Sequence, residues 1–525
     1  MRLMNPRTAA LASFTSLAIL VILCGPLQAE IEISSVLGSH MVIQQGRPIV
    51  LWGWADSQET ISVRFKGQTA SASCDEDGSW RITLNPVAAD ASPASLTISG
   101  SRSAAVTLVD ILVGEVWLCS GQSNMEWSMN RIHTPTPEIN RAAHPGIRLF
   151  QVPRSAMAET QVDVDAAWEV CSPDTVRDFS AVGYYFGLEI HRKLGVPVGL
   201  IDSTWGGTRI EPWTPPAGFH AVSGLDGLLD DIEKAQQEYR EVLVKAMPEW
   251  QSWMREAESA LDRGTPPPEA PERPQHPLSQ PQQPTALYNG MIHPLVPFAI
   301  QGAIWYQGEA NRDDGPEYRA KMEALIRGWR NVWDWQDLSF FYVQLAPFNY
   351  DFNWQESGGD VPDFLRLPLI WEAQRETLSL PHTGMAVVTD ITNLYDIHPR
   401  NKQEVGRRLS LWALAKTYGQ EGLVYSGPLF RSMEKAGGRI RLRFDHVGSG
   451  LISLNGQPLN WFEIAGPDRM YYKARAEIQG DSILVWSPRV KAPASVRMGW
   501  HQLAVPNLGN REGLPASPFR TDSNH

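Results

Sequence analysis

Ile111-Leu112-Val113-Gly114-Glu115-Val116-Trp117-Leu118-Cys119-Ser120-Gly121-Gln122-Ser123-Asn124-Met125 is the stretch on which the fold turns. Ile111–Cys119 is apolar apart from Gly114 and Glu115, the composition of a buried strand. The run then breaks into small and polar residues, and Ser123 sits just past the break. Open α/β sheets take their ligands at the carboxyl ends of their strands. A serine placed there is exposed and can be approached closely by backbone N–H groups. The stretch is not a G-x-S-x-G elbow, and taken alone a serine in a glycine-containing turn is usually a turn residue.

Outward from this strand the pattern differs on the two sides. Downstream, apolar runs at Val198–Asp202, Ala299–Tyr306, Phe341–Leu345 and Met385–Thr389 alternate with helical stretches at Tyr184–Leu194 and Glu317–Trp329. Such alternation predicts a parallel α/β sheet over residues 111–420. Gln403–Tyr418 makes its last helix, with Val405, Leu409, Trp412 and Ala413 on one face. An insertion at about 225–285 interrupts the domain. It reads as two amphipathic helices, Leu225–Met247 and Glu249–Asp262, separated at Pro248, followed by an extended linker rich in Pro, Gln and Glu. The insertion is either a surface excursion or a rim over the site. Upstream, residues 30–110 carry short strand-like runs such as Ile49–Trp54, Ile61–Phe65 and Ser79–Leu84, as in a small β-sandwich. Residues 421–525 return to strand patterns at Arg439–Phe444 and Ser482–Trp486, a second β region expected to pack with the N-terminal strands.

At 525 residues the chain is long enough for two or three domains. A formal net charge of −12 with no dense Lys/Arg stripe excludes nucleic acid as a partner. Twenty tryptophans are many. Most belong in the core, but indoles also make the broad apolar platforms that sugar-handling proteins use. Arg2 and Arg7 precede an apolar run, Ala9–Cys24, and Ala29 supplies a small residue at a cut. Residues 1–29 therefore read as a secretory signal peptide, with export to the periplasm or the extracellular medium. Leu23 is too bulky for a lipobox, so cleavage after Ala29 is expected in place of lipidation at Cys24. No other segment is long and apolar enough to span a bilayer. Cys74, Cys119 and Cys171 then remain: no disulfide framework, though export leaves room for one bond, and no Cys/His spacing of a structural metal.

Three further segments follow candidate strands or precede the last helix. Ser203-Thr204-Trp205-Gly206-Gly207-Thr208 offers glycine amides that come close to a ligand. Trp305-Tyr306-Gln307-Gly308-Glu309-Ala310-Asn311 offers a side-chain amide and a carboxylate. Asp396-Ile397-His398-Pro399 places an imidazole beside an acid, where a base reaches back over the sheet. The first two, each taken alone, are best read as ordinary loops; His398 differs from a random histidine in following the last sheet strand, near an acid. Together they supply a nucleophile (Ser123), a base (His398) and an orienting acid (Asp396 or Glu309), the set that acyl transfer requires.

These blocks, G-Q-S-N-M at Gly121–Met125, W-G-G-T at Trp205–Thr208, W-Y-Q-G-E at Trp305–Glu309 and D-I-H-P at Asp396–Pro399, resemble the SGNH hydrolase superfamily, and within it the sialate O-acetylesterase family. The resemblance extends to Phe179–Tyr184, Leu287–Met291, Asn401–Gly406 and Leu514–Arg520, and so covers the whole mature chain. It implies a serine esterase that hydrolyses O-acetyl esters on sugars through an acetyl-serine, without metal or organic cofactor. It also implies an oxyanion hole from the Ser123 amide, a glycine amide at Gly206 or Gly207, and a side-chain amide. Superfamily members usually use Asn for the last. Here Gln307 or Asn311 stands in that region. D-x-H in place of D-x-x-H leaves both Asp396 and Glu309 as candidate acids, and Gly499–Leu503 is less regular than the family pattern. The same chemistry on acetylated xylan or another polysaccharide is the nearest rival. A non-catalytic carbohydrate-binding protein is the rival of another class, and the four intact blocks argue against it.

Overall fold

In the computed structural model, which describes residues 30–350 and 363–522, eleven strands join in one mixed sheet. In chain order they are β1 (Val42–Gln44), β2 (Thr60–Phe65), β3 (Gln68–Ser73), β4 (Asp90–Gly100), β5 (Val106–Gly121), β6 (His144–Gln151), β7 (Trp168–Cys171), β8 (Val198–Thr204), β9 (Gly302–Tyr306), β10 (Ser339–Gln344) and β11 (Thr383–Val387). Seven run side by side in the order β7-β6-β8-β5-β9-β10-β11. All of these are parallel except β7, which pairs antiparallel with β6 at the edge. The expected α/β class with flanking β-rich regions is the observed one. The expected signal segment, 1–29, lies outside the described residues.

The apolar run around Trp117 is part of one 16-residue strand, β5, that crosses the expected junction at 110/111. Its first half pairs with β4 (antiparallel) and β1 (parallel), and its second half with β8 and β9. Trp117 is fully buried, with its ring edge-on to Phe186 and stacked on Phe341. Its indole N–H donates to the Tyr418 hydroxyl at 2.9 Å, which donates to Glu115 Oε2 at 3.0 Å. Gln44 and Gln45 donate to the same carboxylate, so a buried acid is satisfied from both regions of the chain. A three-stranded sheet of Glu32–Ile33, Ile49–Trp54 and Ser79–Leu84 shares this apolar core.

Helices α1 (Ser123–Glu126), α2 (Ala181–Leu194), α4 (Glu317–Val332), α5 (Asp363–Thr377) and α6 (Lys402–Trp412) flank the sheet, while α3 (Asp226–Asp262) stands off it on a small apolar cluster with Phe219 and Leu278. Ser180 caps α2 by accepting from the Gly183 N–H at 3.1 Å, and Gly195 ends it in a left-handed conformation. Asn401 caps α6 in the same manner as Ser180.

Three expectations need correction. The insertion forms one 37-residue helix, α3, with Pro248 inside it. The carbonyl that Pro248 leaves without a donor is that of Val244, which is 71% exposed, so water can take the place of the missing N–H. The C-terminal region packs elsewhere than expected. Its two four-stranded sheets enclose a separate apolar core. Ser517 bonds Gln344 of β10 at 2.9 Å, and Arg520 bonds Glu372 of α5 at 2.7 Å. Finally, Gln403–Tyr418 is not one continuous α-helix, because α6 passes into a π-turn at Ala413–Thr417.

β5 and β9 meet most closely at Gly121, whose φ is +136°. A Cβ there would stand 2.3 Å from the Tyr306 carbonyl oxygen. Gly121→Ala should therefore combine backbone strain with a steric clash and destabilise the fold by about 2–5 kcal/mol. A melting temperature equal to that of the parent would contradict this reading of the strand contact.

Candidate active site

Three loops meet at the carboxyl ends of adjacent strands. β5 ends at Gly121, and Ser123 opens α1. β8 ends at Thr204 before the Trp205–Thr208 turn, and β9 ends at Tyr306 before Gln307-Gly308-Glu309. The connections diverge to either side of β5, the place where open α/β sheets form their ligand crevice. The segment 388–401, between β11 and α6, returns to this point, where Asn124 Nδ2 donates to the Ile397 carbonyl at 3.0 Å. His398 Nε2 lies 2.9 Å from Ser123 Oγ. The Trp127 indole lies flat on the imidazole, with centroids 4.7 Å apart and planes within 18°.

The two candidate acids occupy different layers. Asp396 Oδ1 accepts the backbone N–H of His398 at 3.0 Å and stands 3.9 Å from its Nδ1. Glu309 lies behind the serine turn. Its Oε1 accepts from Asn124 Nδ2 at 2.5 Å, while Oε2 is shut off from water without a partner. Asn124 Oδ1 accepts from the buried ammonium of Lys402. Burial drives both ions towards neutrality, so the Glu309 carboxyl titrates above its ordinary range and Lys402 falls to about 7. His398 is held below the ordinary histidine value, first by burial and then by the charge of Lys402, with Asp396 pulling the other way.

Gly206 lies against the nucleophile turn. An added Cβ would stand 3.2 Å from Ser123 Cβ, so glycine keeps the space beside the hydroxyl open. Its N–H donates to Glu126 Oε2 at 3.0 Å, and Arg154 Nε donates to Glu126 Oε1 at 2.9 Å. Arg154 in turn lies over the Trp205 ring. On the far side of the turn, Gln282 Nε2 donates to the Gly207 carbonyl at 2.9 Å, and Gln282 Oε1 accepts from the Arg209 N–H at 3.3 Å. The end of the insertion thus braces the glycine turn.

Neither expected side-chain amide has a hydrogen to offer at Ser123. Gln307 Nε2 donates to the Thr208 carbonyl at 3.1 Å and to Asn311 Oδ1 at 2.7 Å. Asn311 Nδ2 donates to Glu211 Oε2 at 3.0 Å and to Asp314 Oδ2 at 2.7 Å. An amide NH2 has two donors, and both residues have used theirs. They belong to a buried ionic cluster in which Glu211 pairs with Arg209 at 3.0 Å and Lys321 at 2.8 Å. Against the upward push of burial, these cations hold the Glu211 carboxyl down at about 2.

Beside His398 a groove of about 800 Å³ runs past His133, Tyr395, Asp396, Arg400 and Val505, a size suited to a small polar ligand. Asn124, Glu126, Trp127 and Lys402 are site residues that the sequence reading does not single out. Their signal is closeness in the chain to Ser123 or His398 and, for Asn124 and Lys402, a place inside the blocks Gly121–Met125 and Asn401–Gly406. Among the described residues no cluster of three or more His, Cys, Asp or Glu side chains has the arrangement of a metal site.

A family model described as carbohydrate esterase, sialic acid-specific acetylesterase, matches residues 277–381. The mouse (Mus musculus) sialate O-acetylesterase is 29% identical over 477 residues, covering 82% of this chain and 81% of that protein. The human (Homo sapiens) enzyme of the same name is 28% identical over 434 residues, covering 76% of this chain and 74% of its own. A crystal structure of a carbohydrate acetylesterase from Xanthomonas citri is 35% identical, with a TM-score of 0.79, and the match covers 94% of this chain and all of the other. With that identity over a whole relative and the same architecture, the chain belongs to the sialate O-acetylesterase family of carbohydrate esterases and is a carboxylic ester hydrolase of the O-acetyl carbohydrate class.

Proposed function

We propose that the enzyme removes O-acetyl groups from sugars, O-acetylated sialic acids foremost, with Ser123 as nucleophile and His398 as general base. The observation that carries this is the 2.9 Å contact between His398 Nε2 and Ser123 Oγ at the mouth of a polar groove. His398 takes the hydroxyl proton as Oγ bonds to the acetyl carbonyl carbon. It then gives that proton to the departing sugar oxygen. Water, deprotonated by the same imidazole, attacks the acetyl-serine; acetate leaves, and the proton returns to Oγ. The oxyanion is held by backbone N–H groups of Ser123 and of the Gly206–Gly207 turn. Because Glu126 holds the Gly206 amide, its carboxylate must swing aside for that donor to serve. Asp396 is the orienting acid. Its 3.9 Å separation from Nδ1 closes to hydrogen-bond distance in the loaded enzyme, as such contacts commonly do. Glu309 is a positioning residue acting through Asn124.

Export through the 1–29 segment is part of the same proposal. It is supported by the charged, apolar and small-residue order of that segment. Among the described residues no helix is long and apolar enough to cross a membrane. The secreted protein should begin at Glu30, as read by mass spectrometry of the mature chain.

Ser123→Ala should abolish acetate release while leaving the melting temperature nearly unchanged. His398→Ala should lose about 10³-fold or more in kcat. Near-parental turnover by folded Ser123→Ala would remove the mechanism. Competition between O-acetylated sialic acid and acetylated xylan, read as kcat/KM, tests the sugar assignment, and a preference for xylan would overturn it.

The pH profile separates the two acids. Only neutral His398 accepts a proton, so kcat/KM should rise with pH through a midpoint below the ordinary histidine value of 6.5. Asp396→Asn removes the charge that raises this midpoint. It should therefore move lower still, with kcat down about 10³-fold or more. Glu309→Gln removes the charge that keeps Lys402 protonated. Less cation then faces His398, so the midpoint should move up. A severe loss of kcat in Glu309→Gln with little in Asp396→Asn would reverse the assignment.

A further inference from the structure

Of the tryptophans among the described residues, Trp461 alone is exposed, at 39%. It also has a φ of +57°, a backbone conformation that a bulky L-residue rarely adopts. The His501 ring lies near-parallel to it at 6.0 Å, and the Phe364 ring near-parallel to His501 at 5.2 Å and 16°. The three flat rings form a line along a cavity of about 600 Å³. Its polar wall carries Asn460, Glu463, Lys473 and Arg497. Glu463 pairs in strand register with Lys473 on one side and Arg497 on the other, yet neither Glu463 nor Lys473 forms an ion pair among the described residues. Flat aromatic faces beside hydrogen-bonding groups of both kinds suit a pyranose ring, whose C–H face packs on an arene while its edge carries hydroxyls. A deep apolar ligand would not need the charged wall.

The cavity adjoins the groove beside His398. Asn460 lines the cavity, and its Nδ2 donates to the carbonyl of Val505, which lines the groove, at 3.5 Å. His501 and Val505 lie four residues apart on one loop, at most about 14 Å along the chain. We propose that the Trp461–His501–Phe364 stack is a second carbohydrate-binding subsite, which holds a sugar ring of an oligosaccharide whose acetylated residue lies at Ser123. The strained backbone at Trp461 is kept because it turns the indole outward over the cavity. The proposal deepens the esterase reading and rests on it for the direction in which the glycan runs.

The test is calorimetric titration of the wild-type enzyme with unacetylated xylohexaose, cellohexaose, mannohexaose and 3′-sialyllactose. At least one should bind with a Kd of about 1 mM or tighter. Trp461→Ala and, separately, Phe364→Ala should weaken that binding at least about tenfold, and Trp461→Phe should restore most of it. kcat/KM on p-nitrophenyl acetate should stay at the parental value in all three variants. Binding by none of the four, or equal affinity in both alanine variants, would overturn the subsite. Failure of the wild-type enzyme to hydrolyse p-nitrophenyl acetate would instead sink the serine mechanism, because the titration needs no turnover.

Discussion

The close approach of β5 to β9 at Gly121 is the constraint on which the site depends. A main chain lacking a Cβ lets the Tyr306 carbonyl approach, and the Gln122 N–H donates to that carbonyl at 3.0 Å. Gln122 then turns its side chain across, accepting from the Gly308 and Ala310 N–H groups at 3.3 and 3.2 Å. The serine turn and the Gln307–Glu309 turn are thereby sewn together before any catalytic side chain is considered. The position of Ser123 is thus set by strand register, which is stiffer than loop packing.

Beneath the serine, Asn124 joins a carboxylate to an ammonium that do not touch each other. In a low-dielectric layer each of these charges favours the other, and each is disfavoured by burial. Lys402 thus links the protonation of Glu309 to that of His398: it favours the charged form of the first and the neutral form of the second. Trp127, stacked on His398 and 5.9 Å from Lys402 Nζ, shields this layer on the side of the imidazole.

Much of this arrangement was legible in the sequence because it is written in local chemistry. The second half of β5, with β8, β9, β10 and β11, consists of short apolar runs with turn residues behind them, and period and length suffice to read them; the first half of β5 alternates with exposed Thr107 and Val109 and reads as part of the upstream β region. β6 and α5 escape such reading. β6 begins with Pro145-Gly146 inside the strand. α5 carries Pro368 and apolar residues on all sides, so no stripe stands out. Ser123 and His398 were legible as strand-end and pre-helix residues. The fate of the Gln307 and Asn311 amides was not, because it depends on Thr208, Glu211 and Asp314, which reach them only in three dimensions. The packing partner of the C-terminal region was equally hidden, since it rests on long-range pairs such as Arg520 with Glu372.

The course of β5 through both β-rich and α/β regions has a bearing on how such a molecule can be inherited. An accessory module joined by a linker can be gained, lost or exchanged without disturbing its neighbour. Here no linker exists at the junction: residues 106–113 are hydrogen-bonded to β1 and β4, while 115–121 of the same strand are hydrogen-bonded to β8 and β9. A cut at residue 110 would strip residues 111–114 of β5 of their partners in β1 and β4 and leave a bare edge, a template for non-native pairing. The N-terminal strands and the catalytic sheet therefore cannot be parted without breaking β5, whereas an insertion such as α3 can be altered without touching that strand.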